Sequence, residues 1–312
     1  MLVAVVAVVF GVVVLAYAAD QFVLGAARVA LIKNVPSLVV GVVIVGFGTS
    51  APEMLVSSLA TLGGEPAVAI GNVVGSNIAN LSLLLGIGAL IVPLSVDSRT
   101  VKREAVLVIV AVVAFAAAVQ GGGISRPEGF GLMAAMALVL FVIIRRSPSD
   151  PMAADVIDLA DAQHHRLPVE AVRTVLGLVG TLGAAQVLLW GALRVAEEAG
   201  LSQGFVGTTL VAVGTSLPEM VTVVQSARRN ETDLIVGNLL GSNLFNALAV
   251  GGLIGILGQI EIDDVTLTTV AAAAAIVVAV VATLAMRTNH TISKAEGAAM
   301  VVAYLCLVPF LA

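Results

Sequence analysis

Gly48-Thr49-Ser50-Ala51-Pro52-Glu53 lies inside one apolar run, and Gly214-Thr215-Ser216-Leu217-Pro218-Glu219 lies inside another. An ionisable side chain in so apolar a segment is costly unless it is paired or lines a polar cavity, so both glutamates are candidate site residues. Pro52 has no N–H for the carbonyl of Gly48, and Pro218 none for that of Gly214. A helix through either motif is therefore expected to break and to leave carbonyl oxygens beside the acid. Oxygen donors together with negative charge suit a hard cation.

The surrounding composition is that of a membrane protein. Mean hydropathy is +1.10, hydrophobic residues make up 59% and charged residues 11%, against about a quarter charged in soluble domains. This excludes a soluble enzyme or a nucleic-acid-binding domain and makes the lipid bilayer the main partner. Apolar runs of roughly 20 residues predict ten spans, at about 2–26, 37–61, 67–92, 104–120, 128–144, 171–197, 204–227, 233–258, 266–286 and 296–311. With those spans, alternate loops collect all 15 Lys and Arg except Arg126 and Arg194. The positive-inside rule then makes the basic side cytoplasmic and puts both termini outside a multi-pass cell-membrane protein. Ala16-Tyr17-Ala18 has the look of a leader cleavage site, but no basic residue precedes it and the apolar run continues to about Ala30. The first segment is read as a span. Cys306, the single cysteine, rules out a disulfide framework and a thiolate pair for a metal.

The two motifs belong to a longer repeat. At the constant separation of Glu53 and Glu219, which is 166 residues, Asn72 falls on Asn238, Gly75 on Gly241, Ser76 on Ser242, Asn77 on Asn243 and Asn80 on Asn246, with no gap. Five spans per copy is an odd number, so the second copy enters the membrane from the opposite side. The expected fold is all-α: ten transmembrane helices as two inverted five-helix repeats, residues 1–146 and 168–312, with discontinuous helices at the two motifs. Residues 147–167 form a cytoplasmic linker. Its Asp and His residues lack calcium-loop spacing, so it is read as a solvated connection. Glu261, Asp263 and Asp264 are read as a solvated outer turn. Gly46-Phe47-Gly48-Thr49-Ser50-Ala51 fits a dinucleotide fingerprint, but no βαβ unit follows and Ala212 replaces its first glycine in the second copy.

Helical spacing puts Thr49, Ser50 and Glu53 on one face, and Thr215, Ser216 and Glu219 on another. In the following spans Asn72, Ser76 and Asn80, and Asn238, Ser242 and Asn246, form polar stripes of period four. Gly71 with Gly75, and Gly237 with Gly241, permit close helix approach. Any one hydroxyl or amide here would serve structure as readily as a ligand, by bonding to its own helix or to a neighbour. Two mid-span glutamates, repeated at constant offset with no deep lysine or arginine, call for a mobile cation or proton as counter-charge. With no His or Cys in the stripes, sodium, calcium or magnesium is favoured over zinc, copper or iron, and flexible oxygen donors suit calcium best.

These residues carry a resemblance. The two hexapeptides, with Gly75-Ser76-Asn77-Ile78-Ala79-Asn80 and Gly241-Ser242-Asn243-Leu244-Phe245-Asn246, resemble the two α-repeats of the sodium/calcium exchangers of the cation/calcium antiporter superfamily. The resemblance implies a compact prokaryotic type with no cofactor, transporting Na+ and Ca2+. Glu53 and Glu219 would be the shared central carboxylates, with oxygens from Thr49, Ser50, Thr215 and Ser216. Ser76 and Ser242, with the carbonyls of Gly46 and Ala212, would serve flanking sodium sites, and Asn80 and Asn246 would complete the centre. Some archaeal members have aspartate where Asn246 stands, so their ion stoichiometry does not carry over directly. The implied mechanism is alternating access, with the first and sixth spans sliding across the rest of the bundle.

The expected function is therefore sodium-for-calcium antiport, in the direction of calcium export. A proton- or potassium-coupled calcium exchanger is the alternative, since a membrane glutamate can trade a cation for a proton. A passive channel could be lined by the same stripes but would carry flux without a counter-ion. A membrane scaffold would carry none.

Overall fold

The computed structural model describes residues 1–33, 50–96, 99–146, 166–258, 262–287 and 290–311. Within these the first repeat comprises α1 (Leu2–Ile32), α2 (Ala51–Leu62), α3 (Pro66–Ile91), α4 (Arg99–Val119) and α5 (Arg126–Arg146). The second comprises α6 (Leu167–Ala199), α7 (Gln203–Thr215), α8 (Leu217–Arg229), α9 (Thr232–Leu257), α10 (Thr266–Arg287) and α11 (Lys294–Leu311). Adding 166 to the bounds of α2 or α3 reproduces those of α8 or α9 to within a residue. Six described helices are long and apolar enough to cross a membrane, or seven if α7 and α8 count as one bent span.

Burial separates the helices into inner and outer sets. The most apolar windows of α3 and α9 are 78% and 83% buried, against 33% for α1, 44% for α6, 39% for α10 and 22% for α11. The polar stripes thus sit at the centre and the featureless helices face outward. Since lipid tails are as apolar as leucine, close packing rather than water exclusion has to hold such helices together. Gly71 shows how: a Cβ there would lie 2.7 Å from the Gly204 carbonyl oxygen and 2.9 Å from the Thr208 nitrogen of α7. At Gly75 a Cβ would meet the backbone of Thr208 outright. The first of the two expected glycine pairs is therefore a seam between repeats.

Two loops from different repeats meet at one end. β1 (Leu94–Ser95) pairs antiparallel with β2 (Thr291–Ile292), Leu94 opposite Ile292 and Ser95 opposite Thr291. At the other end Ile262 N–H donates to the Gly122 carbonyl, and the Met1 amino group pairs with Glu198. Each of these pairs joins segments that the expected span alternation puts on one side.

α1 and α6 make the most extensive helix-to-helix contact among the described residues. Backbone meets backbone at repeat-related positions: a Cβ at Gly11 would lie 2.8 Å from the Leu188 nitrogen, and one at Gly177 would strike Phe22. One end of this pair is clamped by Glu170, 1% exposed, which lies 3.4 Å from Arg28 and 3.3 Å from Arg173.

Candidate functional site

Sequence and structure agree on why the second motif breaks. Residue 218, being proline, cannot continue the ladder of α7; α8 begins afresh at Leu217, and the two axes diverge by 46°. Ser216 becomes the N-cap position of α8, and Glu219 falls in its first turn. In the first repeat Ser50 and Glu53 hold the same positions on α2, with Pro52 between them. Each carboxylate therefore sits at the positive end of a helix, deep in the bundle.

Ser50, Glu53, Ser76, Asn80, Ala212, Thr215, Ser216, Glu219, Ser242 and Asn246 are all at most 2% exposed. Thr49 and Gly46 lie outside the described residues, as do residues 147–165 of the linker. Ser216 Oγ donates to Glu53 Oε1 at 3.1 Å, across the repeats. Ser242 Oγ donates to Glu219 Oε1 at 2.9 Å and lies 2.9 Å from Ser50 Oγ, which joins the second carboxylate to the first repeat. The remaining oxygen of each, Oε2, has no protein donor.

Amides tie the rest together. Asn72 Nδ2 donates to Ser57 Oγ at 3.0 Å and to the Glu53 carbonyl at 3.3 Å, while Asn72 Oδ1 accepts from Thr215 Oγ1 at 3.0 Å. Asn80 Nδ2 donates to Asn243 Oδ1 at 3.1 Å, and Asn243 Nδ2 to the Asn77 carbonyl at 3.3 Å. Buried without partners are Ser76 Oγ, Asn80 Oδ1, Asn238 Nδ2 and both amide atoms of Asn77 and Asn246. So many orphaned polar atoms beside two acids is the pattern of a site built for something other than protein.

Three sequence expectations are refined by this geometry. The Ala212 carbonyl, expected to face an ion, already accepts from Thr215 Oγ1 at 3.2 Å and from the Ser216 N–H at 3.1 Å. Its candidacy is weakened accordingly. Asn72, read only as part of a stripe, is the principal bridge between α2, α3 and α7. Asn77 and Asn243 fall off the period-four stripes, yet they join α3 to α9. Both lie in regular α-helix just before a π-helical turn, Asn80–Leu84 in α3 and Phe245–Val250 in α9, and it is the packing of the two repeats, not local spacing, that brings them together. Among the described residues no group of three or more His, Cys, Asp or Glu converges, so the donors around the acids are hydroxyls and amides.

The profile of the family described as "Sodium/calcium exchanger protein" matches residues 3–145 and 170–312, one stretch per repeat. The uncharacterized membrane protein MJ0091 of Methanocaldococcus jannaschii is 37% identical, covering 78% of this chain and 79% of its own. Inner membrane protein YrbG of Escherichia coli is 32% identical over 84% and 82%. The sodium/calcium exchanger MaX1 of Methanosarcina acetivorans is 27% identical over 82% and 84%. Among solved structures, the sodium-calcium exchanger NCX_Mj aligns with a TM-score of 0.66 at 26% identity, over 99% of this chain and 98% of that one.

Proposed function

The chain belongs to the sodium/calcium exchanger protein family, and from that membership we propose a secondary antiporter that exchanges sodium for calcium by alternating access. The observation that carries this reading is the pair of fully buried glutamates, each with one oxygen held by a serine and the other without a protein partner. Among the described residues neither Glu53 nor Glu219 pairs with a lysine or arginine, whereas Glu170, the remaining buried acid, is matched by Arg28 and Arg173. A cation is the counter-charge that completes such a site.

In this reading Glu53 Oε2 and Glu219 Oε2 bind the central ion, with amide oxygen from Asn80 and Asn246 and hydroxyl oxygen from Ser50, Thr49, Thr215 and Ser216. Ser76 and Ser242 serve sodium beside the centre, with the Gly46 carbonyl and, in competition with its present bonds, that of Ala212. Flexible amide and hydroxyl donors tolerate the irregular shell of calcium, and several sodium ions reuse the same oxygens. Binding of one ion thus excludes the other, which couples the fluxes. Ten spans as two inverted units, 1–146 and 168–312, place the site midway through the bilayer with both termini outside, and calcium export is the working direction.

The decisive experiment is calcium uptake into sodium-loaded proteoliposomes. Uptake should follow the outward sodium gradient, persist when the proton gradient is collapsed, and fall at least about 100-fold in Glu53→Gln and in Glu219→Gln, given how costly a lost ionic partner is in so dry a site. Uptake that follows only a proton or potassium gradient would replace sodium as the coupling ion; flux without any counter-ion would make the protein a channel.

A further inference from the structure

Asn77 and Asn243 are repeat mates, and they touch: Asn243 Nδ2 donates to the Asn77 carbonyl oxygen. Residues related by the repeat can be in direct contact only near the axis that relates the two copies. Because a carbonyl accepts and never donates, this bond settles which way the Asn243 amide points. Its Oδ1 then accepts from Asn80 Nδ2. The symmetry-exchanged set would run from Asn77 Nδ2 to the Asn243 carbonyl, and from Asn246 Nδ2 to Asn77 Oδ1. Neither bond is formed, and all four side-chain amide atoms of Asn77 and Asn246 are buried without a partner.

The serines divide in the same sense. Ser242 donates to Glu219, whereas its mate Ser76 has no partner for Oγ. Ser216 donates to Glu53, whereas its mate Ser50 reaches Ser242 instead of Glu219. At every one of these positions the two copies carry the same residue. The difference therefore lies not in these residues themselves but in how each copy is packed around them. In a carrier made of inverted repeats, exchanging the conformations of the two copies turns a state facing one side into a state facing the other.

We infer that Asn77 and Asn243 are positioning residues that form a two-position switch on the pseudo-two-fold axis. Asn243 is engaged, with Asn80 and the Asn77 carbonyl, in the access state seen here; Asn77 is engaged, with Asn246 and the Asn243 carbonyl, in the opposite one. The two sets are chemically equal, so neither state is favoured by the switch itself, and each is closed by bonds that the other leaves open. Releasing Asn80 from Asn243 frees its amide nitrogen as Asn246 is captured, so the amides presented to the ion are exchanged together with the access side.

The inference rests on the antiport reading, and the test separates the two. Asn243→Ser and Asn77→Ser are compared with the parent in sodium-loaded right-side-out and inverted membrane vesicles, measuring the half-saturating calcium concentration at each face. Loss of one set of amide bonds should move the ratio of the two concentrations about five-fold, in one direction for Asn243→Ser and in the other for Asn77→Ser. The double variant should return the ratio close to that of the parent. Shifts of the same sign, or unchanged ratios while exchange persists, overturn the switch and leave the antiporter standing; no sodium-driven uptake in the parent overturns both. If a serine variant fails to reach the membrane, Asn80→Ser and Asn246→Ser carry the same opposite-sign expectation.

Discussion

One asymmetry between the copies goes with a difference in sequence. Asn72 is satisfied by Ser57 and Thr215, whereas its mate Asn238 keeps a buried, unpartnered Nδ2. The mate of Ser57 is Val223, fully buried, which offers no oxygen. Replacing a buried valine by serine ordinarily costs about 1–3 kcal/mol, through lost contacts and an unsatisfied hydroxyl. If the repeat holds here, a hydroxyl at position 223 stands to Asn238 as Ser57 stands to Asn72. Val223→Ser should therefore cost less than about 1 kcal/mol, while Val73→Ser pays the ordinary amount. Thermal unfolding of the purified protein in detergent compares them, and equal losses would show that Asn238 is satisfied in some other way. The glutamates were legible from sequence because desolvation cost is a property of the residue and its apolar surroundings alone. Asn77 and Asn243 were not, because their importance comes from an axis that no local pattern marks.

At the scale of elements, the boundaries follow from punctuation. Pro168 opens α6, Gly200 in the left-handed region closes it, and Ser293 with Glu296 forms a capping box at the start of α11. The π-turns of α3 and α9 escaped the reading, since a single extra residue per turn leaves hydrophobic periodicity almost unchanged. α1 and α6 bear on function as a unit. They are joined backbone to backbone by glycines and clamped at Glu170, but meet the bundle more lightly. Disulfides can separate motion within the pair from motion against the bundle. A Cβ at Gly180 would lie 3.1 Å from that of Ala18, and one at Gly214 3.9 Å from that of Val12, both within reach of a disulfide after small adjustment. With Cys306 replaced by serine, Ala18→Cys with Gly180→Cys should leave exchange largely intact under oxidant. Val12→Cys with Gly214→Cys should stop it until reductant is added. Arrest by the first cross-link, or indifference to the second, would refute sliding of the pair as one body.

For the molecule as a whole, sidedness is the remaining quantity, and charge bias supplies the expectation to test. The pairing of β1 with β2, and of Ile262 with Gly122, sorts the loops into two groups without saying which faces the cytoplasm. In the proposed topology the bias of Lys and Arg puts the end with β1 and β2 on the cytoplasmic side. An impermeant thiol reagent should label Leu201→Cys in intact cells and Lys294→Cys only after permeabilisation, again without Cys306. The reverse pattern would invert the topology. By itself the sequence determined the membrane class, the repeat and the two acids, because hydropathy, a constant offset between motifs and the cost of burying charge are all readable along one chain. Only the tertiary structure decided which hydroxyl reaches which carboxylate and which copy of each identical pair is engaged. A pair of identical residues cannot break its own symmetry; the packing around it in one particular conformation does.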